Sequence, residues 1–339
     1  MTTRGFLLGK FMPPHRGHQF LCETALGLVD ELTVLVCSTD AEPIDGGLRH
    51  SWMREAVPAA RVVRLHRNLP QTPEADPDFW AIWREAIREA HPEPISHVFG
   101  SEPYIFRLAE ELGGKPMLID PEREIFAVSG QAIRENPGAN WKMIVRPARA
   151  HFQKRITLVG PESVGKSSLA KNLARHFGTR AMPEYGRTFD VAYKQGANWA
   201  GDDLVELARI HAAMREAMRA DAGPVLFEDT DALQTAIWSK YLIGEVPAAL
   251  EKIERDTLAD QYLLLAPDVA WVQDGVRYTG DQQTRAFFFN EIENRLASYG
   301  AAYKIISGAD WAARIARAIE IAEKMFAAQA IHKTPERNS

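Results

Sequence analysis

Gly160-Pro161-Glu162-Ser163-Val164-Gly165-Lys166-Ser167 reads GPESVGKS, which fits the phosphate-loop pattern G-x-x-x-x-G-K-S. An apolar run, Ile156 to Val159, precedes it, and a helical pattern with Leu169, Leu173 and Phe177 follows, stopped by Gly178. The setting gives the pattern its meaning. A tight turn between strand and helix aims successive N–H groups at phosphate oxygens, and the helix adds its positive end. Gly160, Glu162, Ser163, Gly165, Lys166, Ser167 and Ser168 are the expected nucleotide contacts. Lys166 would reach the β- and γ-phosphates, and the Ser167 hydroxyl would ligate Mg²⁺.

Downstream, Pro224 to Asp231 (PVLFEDTD) is an apolar run ending in acids, as expected of the strand beside a phosphate loop. On an extended chain Asp229 and Asp231 project to one side. One would organise Mg²⁺ and the other would accept a proton from an attacking hydroxyl, and the sequence leaves open which does which. Glu184, Tyr185 and Arg187 follow a short strand where small kinases face their acceptor, and they are expected at the acceptor's sugar hydroxyls; a surface ion pair is the bland alternative. Asp274 to Arg285 resembles a lid that would bring Arg277, and second Arg285, to the transferring phosphate.

The 339 residues suit two domains rather than one. With 46% hydrophobic and 25% charged residues, each half can bury a core. A net charge of -5 argues against a broad basic surface for nucleic acid. No run is long and apolar enough to span a membrane, and no leader peptide is visible. Cys22 and Cys37 lie in separate apolar runs and read as buried free thiols of a reducing cytoplasm. The expected partners are small-molecule substrates, without nucleic acid or membrane, and a homo-oligomer is left open. The junction falls in the Pro- and Gly-containing stretch from Asn136 to Arg155, which divides the chain into 1–150 and 151–330, with a disordered polar tail at 331–339.

The first half opens with a strand ending at Gly9, the turn GKFMPPHRGH (Gly9 to His18), an amphipathic helix and a second strand, Leu32 to Cys37. That order is a βαβ unit and implies a parallel sheet. His15 and His18 sit where strand gives way to helix, behind Pro13-Pro14, and Gly17 allows close approach to a ligand. Such placement suits phosphate oxygens whose charge rises in a transition state. Near the end of this half, Ser129 reads as a helix N-cap with Arg134 in the helix it starts. Arg49 is a further candidate for substrate phosphate. Trp80 and Trp83 share a helix face with Ile87, either as a core stripe or with one ring stacked on the substrate.

The order G-x-F-x-P-x-H-x-G-H, paired with VSGQAIRENP (Val128 to Pro137), resembles the nucleotidyltransferase superfamily built on (His/Thr)-x-Gly-His. That resemblance implies a Rossmann-like N-terminal domain. In it Gly9, Lys10, Phe11, Gly17 and Ser129 would contact the nucleotide, while His15, His18 and Arg134 stabilise the triphosphate. With a phosphate-loop kinase behind it, the whole chain resembles the bifunctional nicotinamide-mononucleotide adenylyltransferase/ribosylnicotinamide kinase family of NAD salvage. DGGLRHSWMRE (Asp45 to Glu55), VFGSEPY (Val98 to Tyr104) and WVQDGVR (Trp271 to Arg277) add to the likeness.

The expected fold is therefore α/β, with a parallel sheet in each of two domains, and ATP and Mg²⁺ as co-substrate and metal. Enterobacterial members of that family carry an N-terminal helix-turn-helix and repress transcription. Here the first strand is expected from about Arg4, which leaves no room for one. The same domain pair could instead serve another acceptor, such as a flavin or phosphopantetheine-type nucleotide, or act as a nucleotide sensor with one decayed site.

Overall fold

The computed structural model describes residues 2–269 and 281–327. The chain divides into two compact units after His151, and each is built around its own five-stranded parallel sheet.

In the first unit the elements run β1 (Arg4–Gly9), α1 (Arg16–Leu26), β2 (Glu31–Ser38), α2 (Gly46–Ala56), β3 (Arg61–His66), α3 (Phe79–Ala90), β4 (His97–Gly100), α4 (Tyr104–Leu112), β5 (Lys115–Leu118) and α5 (Gly130–Glu135). The sheet order is β3-β2-β1-β4-β5. Successive residues of β1 feed opposite faces: Phe6 packs with Leu35, Ile87, Val98 and Ile105, and Leu7 with Leu21, Val34, Met53 and Phe99. Helices on both faces therefore cover strands that are apolar on both sides, which is why these strands read as continuous runs. The chain leaves β3 at one edge and re-enters on the far side of β1. This reversal opens a crevice at the carboxyl ends of β1 and β4.

A helical turn, α6 (Arg149–Phe152), leads into the second unit: β6 (Lys154–Val159), α7 (Lys166–His176), β7 (Ala181–Met182), α8 (Gly186–Phe189), α9 (Gly201–Arg219), β8 (Val225–Asp229), α10 (Ala232–Ile243), α11 (Ala248–Asp256), β9 (Gln261–Leu265), α12 (Gln282–Ser298), β10 (Tyr303–Ile306) and α13 (Trp311–Ala327). The sheet order is β10-β9-β6-β8-β7. Here β6 is the switch strand, with β8 on one side and β9 on the other. One core face gathers Ile156, Leu158, Leu169, Phe227 and Leu263, and the other Val159, Leu264, Phe288 and Ile292.

The α/β class and both parallel sheets agree with the sequence reading. Some elements depart from it. Arg61–His66 forms an edge strand although its two arginines interrupt the apolar pattern. The α3 helix begins at Phe79, after a separate turn that the Asp76 carboxylate closes by accepting the Asp78 N–H at 2.8 Å. Cys22 and Cys37 are buried free thiols, each pushed up to about 12 by burial. Among the described residues no helix is long and apolar enough to cross a membrane.

Candidate functional sites

At the switch point of the first sheet lies a cleft of about 160 Å³. Lining it are His15, Gly17 and His18 from the β1–α1 turn, Ser101 and Glu102 after β4, Asp120, Arg123 and Phe126 from the loop after β5, and Ser129 and Gly130 at the start of α5. The two imidazoles stack, with centroids 3.6 Å apart and planes 22° apart. Phe11, held at φ 48°, sets its ring edge-on to His18 at 4.9 Å. The His15 backbone N–H donates to His18 Nδ1 at 3.3 Å. A neutral His18 therefore carries its proton on Nε2 and is a hydrogen-bond donor there. His15 Nδ1 is buried without a partner. Burial first and the nearby Arg123 guanidinium second bring His15 down to about 4. Burial, His15 and Arg123 together hold His18 well below its usual range. Both rings are neutral donors and acceptors at pH 7.

The second expected motif is locked to this turn. Ser129 caps α5, accepting the Ala132 N–H at 3.1 Å. Arg134 donates to the Met12 carbonyl oxygen. A Cβ on Gly130 would stand 2.6 Å from that same oxygen, so only glycine lets α5 approach. Arg134 thus clamps protein rather than lining the cleft. Lys10 pairs with Glu42 at 3.2 Å. Arg49 differs from the expectation of a phosphate ligand: it is fully buried. Its guanidinium donates to the Lys10, Ile44 and Cys37 carbonyls and pairs with Glu42, and so fixes the turn from behind. Trp80 and Trp83 pack against the sheet's core, and Trp83 Nε1 donates to the Pro70 carbonyl at 2.9 Å. Neither lines the cleft.

The second unit carries a larger cavity of about 530 Å³ at the carboxyl ends of β6 and β8. Glu162, Ser163, Gly165, Lys166, Ser167 and Ser168 of the phosphate loop line it, opposite Glu184, Tyr185, Arg187, Asp229 and Asp231. Gly160, at φ 146°, has no room for a Cβ, which would meet the Leu265 carbonyl at 2.8 Å. Lys166 Nζ donates to the Gly160 and Pro161 carbonyls at 2.9 and 2.8 Å, so loop oxygens stand in for the phosphate oxygens it would meet.

The two acids that the sequence left undivided differ here. The parallel register pairs Asp229 with Leu158, two residues before Gly160, and Asp229 Oδ1 is buried without a partner. Asp231 is committed to the fold. It caps α10 by accepting the Leu233 and Gln234 N–H groups, and Tyr262 Oη donates to it at 2.7 Å. Burial first, then the neighbouring Glu228, push its carboxyl up to about 6. Glu184 is raised by burial, against the pull of Lys166.

Arg285 sits in the first turn of α12, buried, donating to the Val269 carbonyl at 3.1 Å, away from the cavity lining. Arg277 lies outside the described residues. The sequence did not point to Arg314 at all. This fully buried guanidinium donates to the Val164 carbonyl inside the phosphate loop and to the Ala266 and Gly308 carbonyls, and it pairs with Asp268. Trp311 of the same helix packs against Gly165.

The chain is 28% identical over 345 residues to the trifunctional NAD biosynthesis/regulator protein NadR of Salmonella typhimurium, covering 96% of this chain and 84% of that protein. The Escherichia coli NadR is 27% identical with the same coverage. The chain is homologous to NadR. Its first part is also 28% identical over 155 residues to the nicotinamide-nucleotide adenylyltransferase of Methanoculleus marisnigri, covering 43% of this chain and 87% of that enzyme. An AAA domain family profile matches residues 155–314. A crystal structure of NadR in complex with NAD and AMP-PNP shares the fold, with a TM-score of 0.75, 22% identity and coverage of 98% of both chains.

Proposed function

We propose that the chain is a two-site NAD-forming enzyme: ribosylnicotinamide kinase in the second unit and nicotinamide-mononucleotide adenylyltransferase in the first. The observation that carries the reading is a nucleotide-type cleft at the switch point of each sheet, in a chain homologous to NadR along 96% of its length.

In the kinase step the 5′-hydroxyl of ribosylnicotinamide attacks the γ-phosphate of ATP, the bond from the γ-phosphorus to the bridging oxygen breaks, ADP leaves and the hydroxyl proton is released. Lys166 and the loop N–H groups hold the phosphates. Ser167 and the unpartnered Asp229 oxygen are fitting oxygen donors for Mg²⁺, which neutralises phosphate charge when bound. Glu184 and Arg187 hold the acceptor's hydroxyls. In the transferase step a phosphate oxygen of the mononucleotide attacks the α-phosphate of a second ATP. The bond from the α-phosphorus to the bridging oxygen breaks, and pyrophosphate leaves. An already ionised nucleophile needs no base, which suits a cleft furnished with His15 and His18 as donors rather than with a carboxylate pair.

The test is to incubate the protein with ATP, Mg²⁺ and ribosylnicotinamide and follow products by chromatography. NAD, ADP and pyrophosphate are expected. Consumption of a flavin or pantetheine-type acceptor in place of ribosylnicotinamide would replace the substrate assignment, and tight binding without turnover would make the protein a sensor.

A further inference from the structure

The transferase cleft must accept a polyanion, yet its described lining is poor in positive charge. The charged side chains that line it are Glu102, Asp120 and Arg123. Arg134 is turned onto the Met12 carbonyl, and Lys10 is paired with Glu42. That leaves Arg123 as the cation among the described residues of the lining.

Its position is built. The Arg123 N–H donates to the Asp120 carbonyl at 3.0 Å, and the Asp120 carboxylate accepts the Glu124 N–H at 2.9 Å and the Ile125 N–H at 3.3 Å. Asp120 and Arg123 both adopt left-handed backbone, φ 48° and 55°, a conformation non-glycine residues take only when the surroundings impose it. The turn thus consumes Asp120 and points Arg123 at the cleft. The guanidinium meets Glu102 at 3.2 Å, with both side chains about half exposed. Such an exposed pair is weak, whereas arginine on phosphate forms paired, charge-assisted hydrogen bonds.

Resting on the proposed adenylyltransferase reading, we propose that Arg123 is a phosphate-binding residue of that cleft, and that Glu102 is the counter-ion from which the nucleotide's phosphates take it over. Glu102 has a second effect: in the ligand-free protein it offsets the charge that would attract other anions.

The experiment measures the KM for ATP and kcat of pyrophosphate release from nicotinamide mononucleotide, using the full chain. Arg123→Ala is expected to raise the KM for ATP about 10-fold or more, the loss of a charged hydrogen bond, with kcat changed less. Arg123→Lys should recover part of it. Glu102→Gln should lower the KM several-fold, and most of that gain should vanish in the Glu102→Gln/Arg123→Ala double variant. Unfolding temperatures should stay within a degree or two, about what a weak exposed pair supplies.

An Arg123→Ala enzyme whose KM stays within about twofold of wild type would overturn the proposal. So would a Glu102→Gln gain that persists without Arg123. If the wild-type protein makes no dinucleotide, the functional reading fails. The Arg123 assignment is then decided by ATP titration of the Lys166→Ala protein with and without Arg123→Ala: weaker binding supports it, and equal binding overturns it.

Discussion

His15 and His18 illustrate how one residue type takes its chemistry from its surroundings. Two imidazoles beside a phosphate suggest positive charge, but burial and Arg123 keep both neutral in the free cleft. The sign follows from linkage. His15 falls from its ordinary 6.5 to about 4, so between those pH values the unfolded chain binds a proton that the folded protein refuses. Acid in that window therefore destabilises the fold through this ring, by as much as about 3 kcal/mol in full. His15→Asn should flatten the loss of stability between pH 6.5 and 4 in urea unfolding. Ring-nitrogen resonances should show His15 titrating near 4 without ligand and moving upward with ATP bound, because phosphate charge favours the imidazolium. A free-protein titration near 6.5 would contradict this account. The glycines, histidines and Lys166 were legible in the sequence because their spacing is local. The arginines were not. Arg49, Arg123 and Arg314 look alike as letters, and only partners 7 to 150 positions away decide that two are buried braces and one faces a cleft. Asp229 and Asp231 were hard to tell apart for a similar reason: beside its cap of α10, Asp231 is set apart by a hydrogen bond from the distant Tyr262.

At the scale of elements, both sites depend on one element braced against the turn of another. The α5 helix reaches the β1–α1 turn through Gly130 and Arg134, which meet a single carbonyl, that of Met12. Gly130→Ala would force a Cβ against backbone that cannot rotate away. It should depress adenylyl transfer at least about tenfold, since small displacements of positioning groups are costly, and spare phosphorylation of ribosylnicotinamide. Equal loss of both activities would place the defect in folding instead. In the second unit α13 braces the phosphate loop through Arg314. Arg314→Met would leave the Val164, Ala266 and Gly308 carbonyls without their donor, a loss of about 3 kcal/mol or more. The expected result is a lower unfolding midpoint and a raised KM for ATP in the kinase assay. Central strands such as β1, β2 and β6 were readable as apolar runs because both their faces are covered. The edge strand β3 was not, since half its residues meet solvent and two of them are arginines. The α10 helix was hidden because its polar residues, Gln234, Thr235, Ser239 and Lys240, are spread around the helix rather than gathered on one face, which leaves no helical stripe to read.

For the molecule as a whole, the two clefts belong to separate compact units, and each has its own set of proposed phosphate-binding groups. The proposed kinase product is the proposed transferase substrate, so the two chemistries should be separable by single substitutions. Lys166→Ala should abolish formation of the mononucleotide while NAD still forms from supplied mononucleotide. His18→Ala should do the reverse, with adenylyl transfer down about 10²- to 10³-fold, the usual loss for one positioned donor. Mixing the two variant proteins then asks how the steps communicate. The proposed mononucleotide product is charged and is not covalently held in this scheme, so it should be able to leave one molecule and enter another. The mixture should therefore make NAD from ribosylnicotinamide and ATP after a lag, during which mononucleotide accumulates in solution. The lag should shorten as the Lys166→Ala protein, which supplies the working transferase, is increased. A mixture that forms no NAD while the mononucleotide stays bound to the His18→Ala protein, with each variant active in its own assay, would mean that the kinase passes its product on only within one molecule.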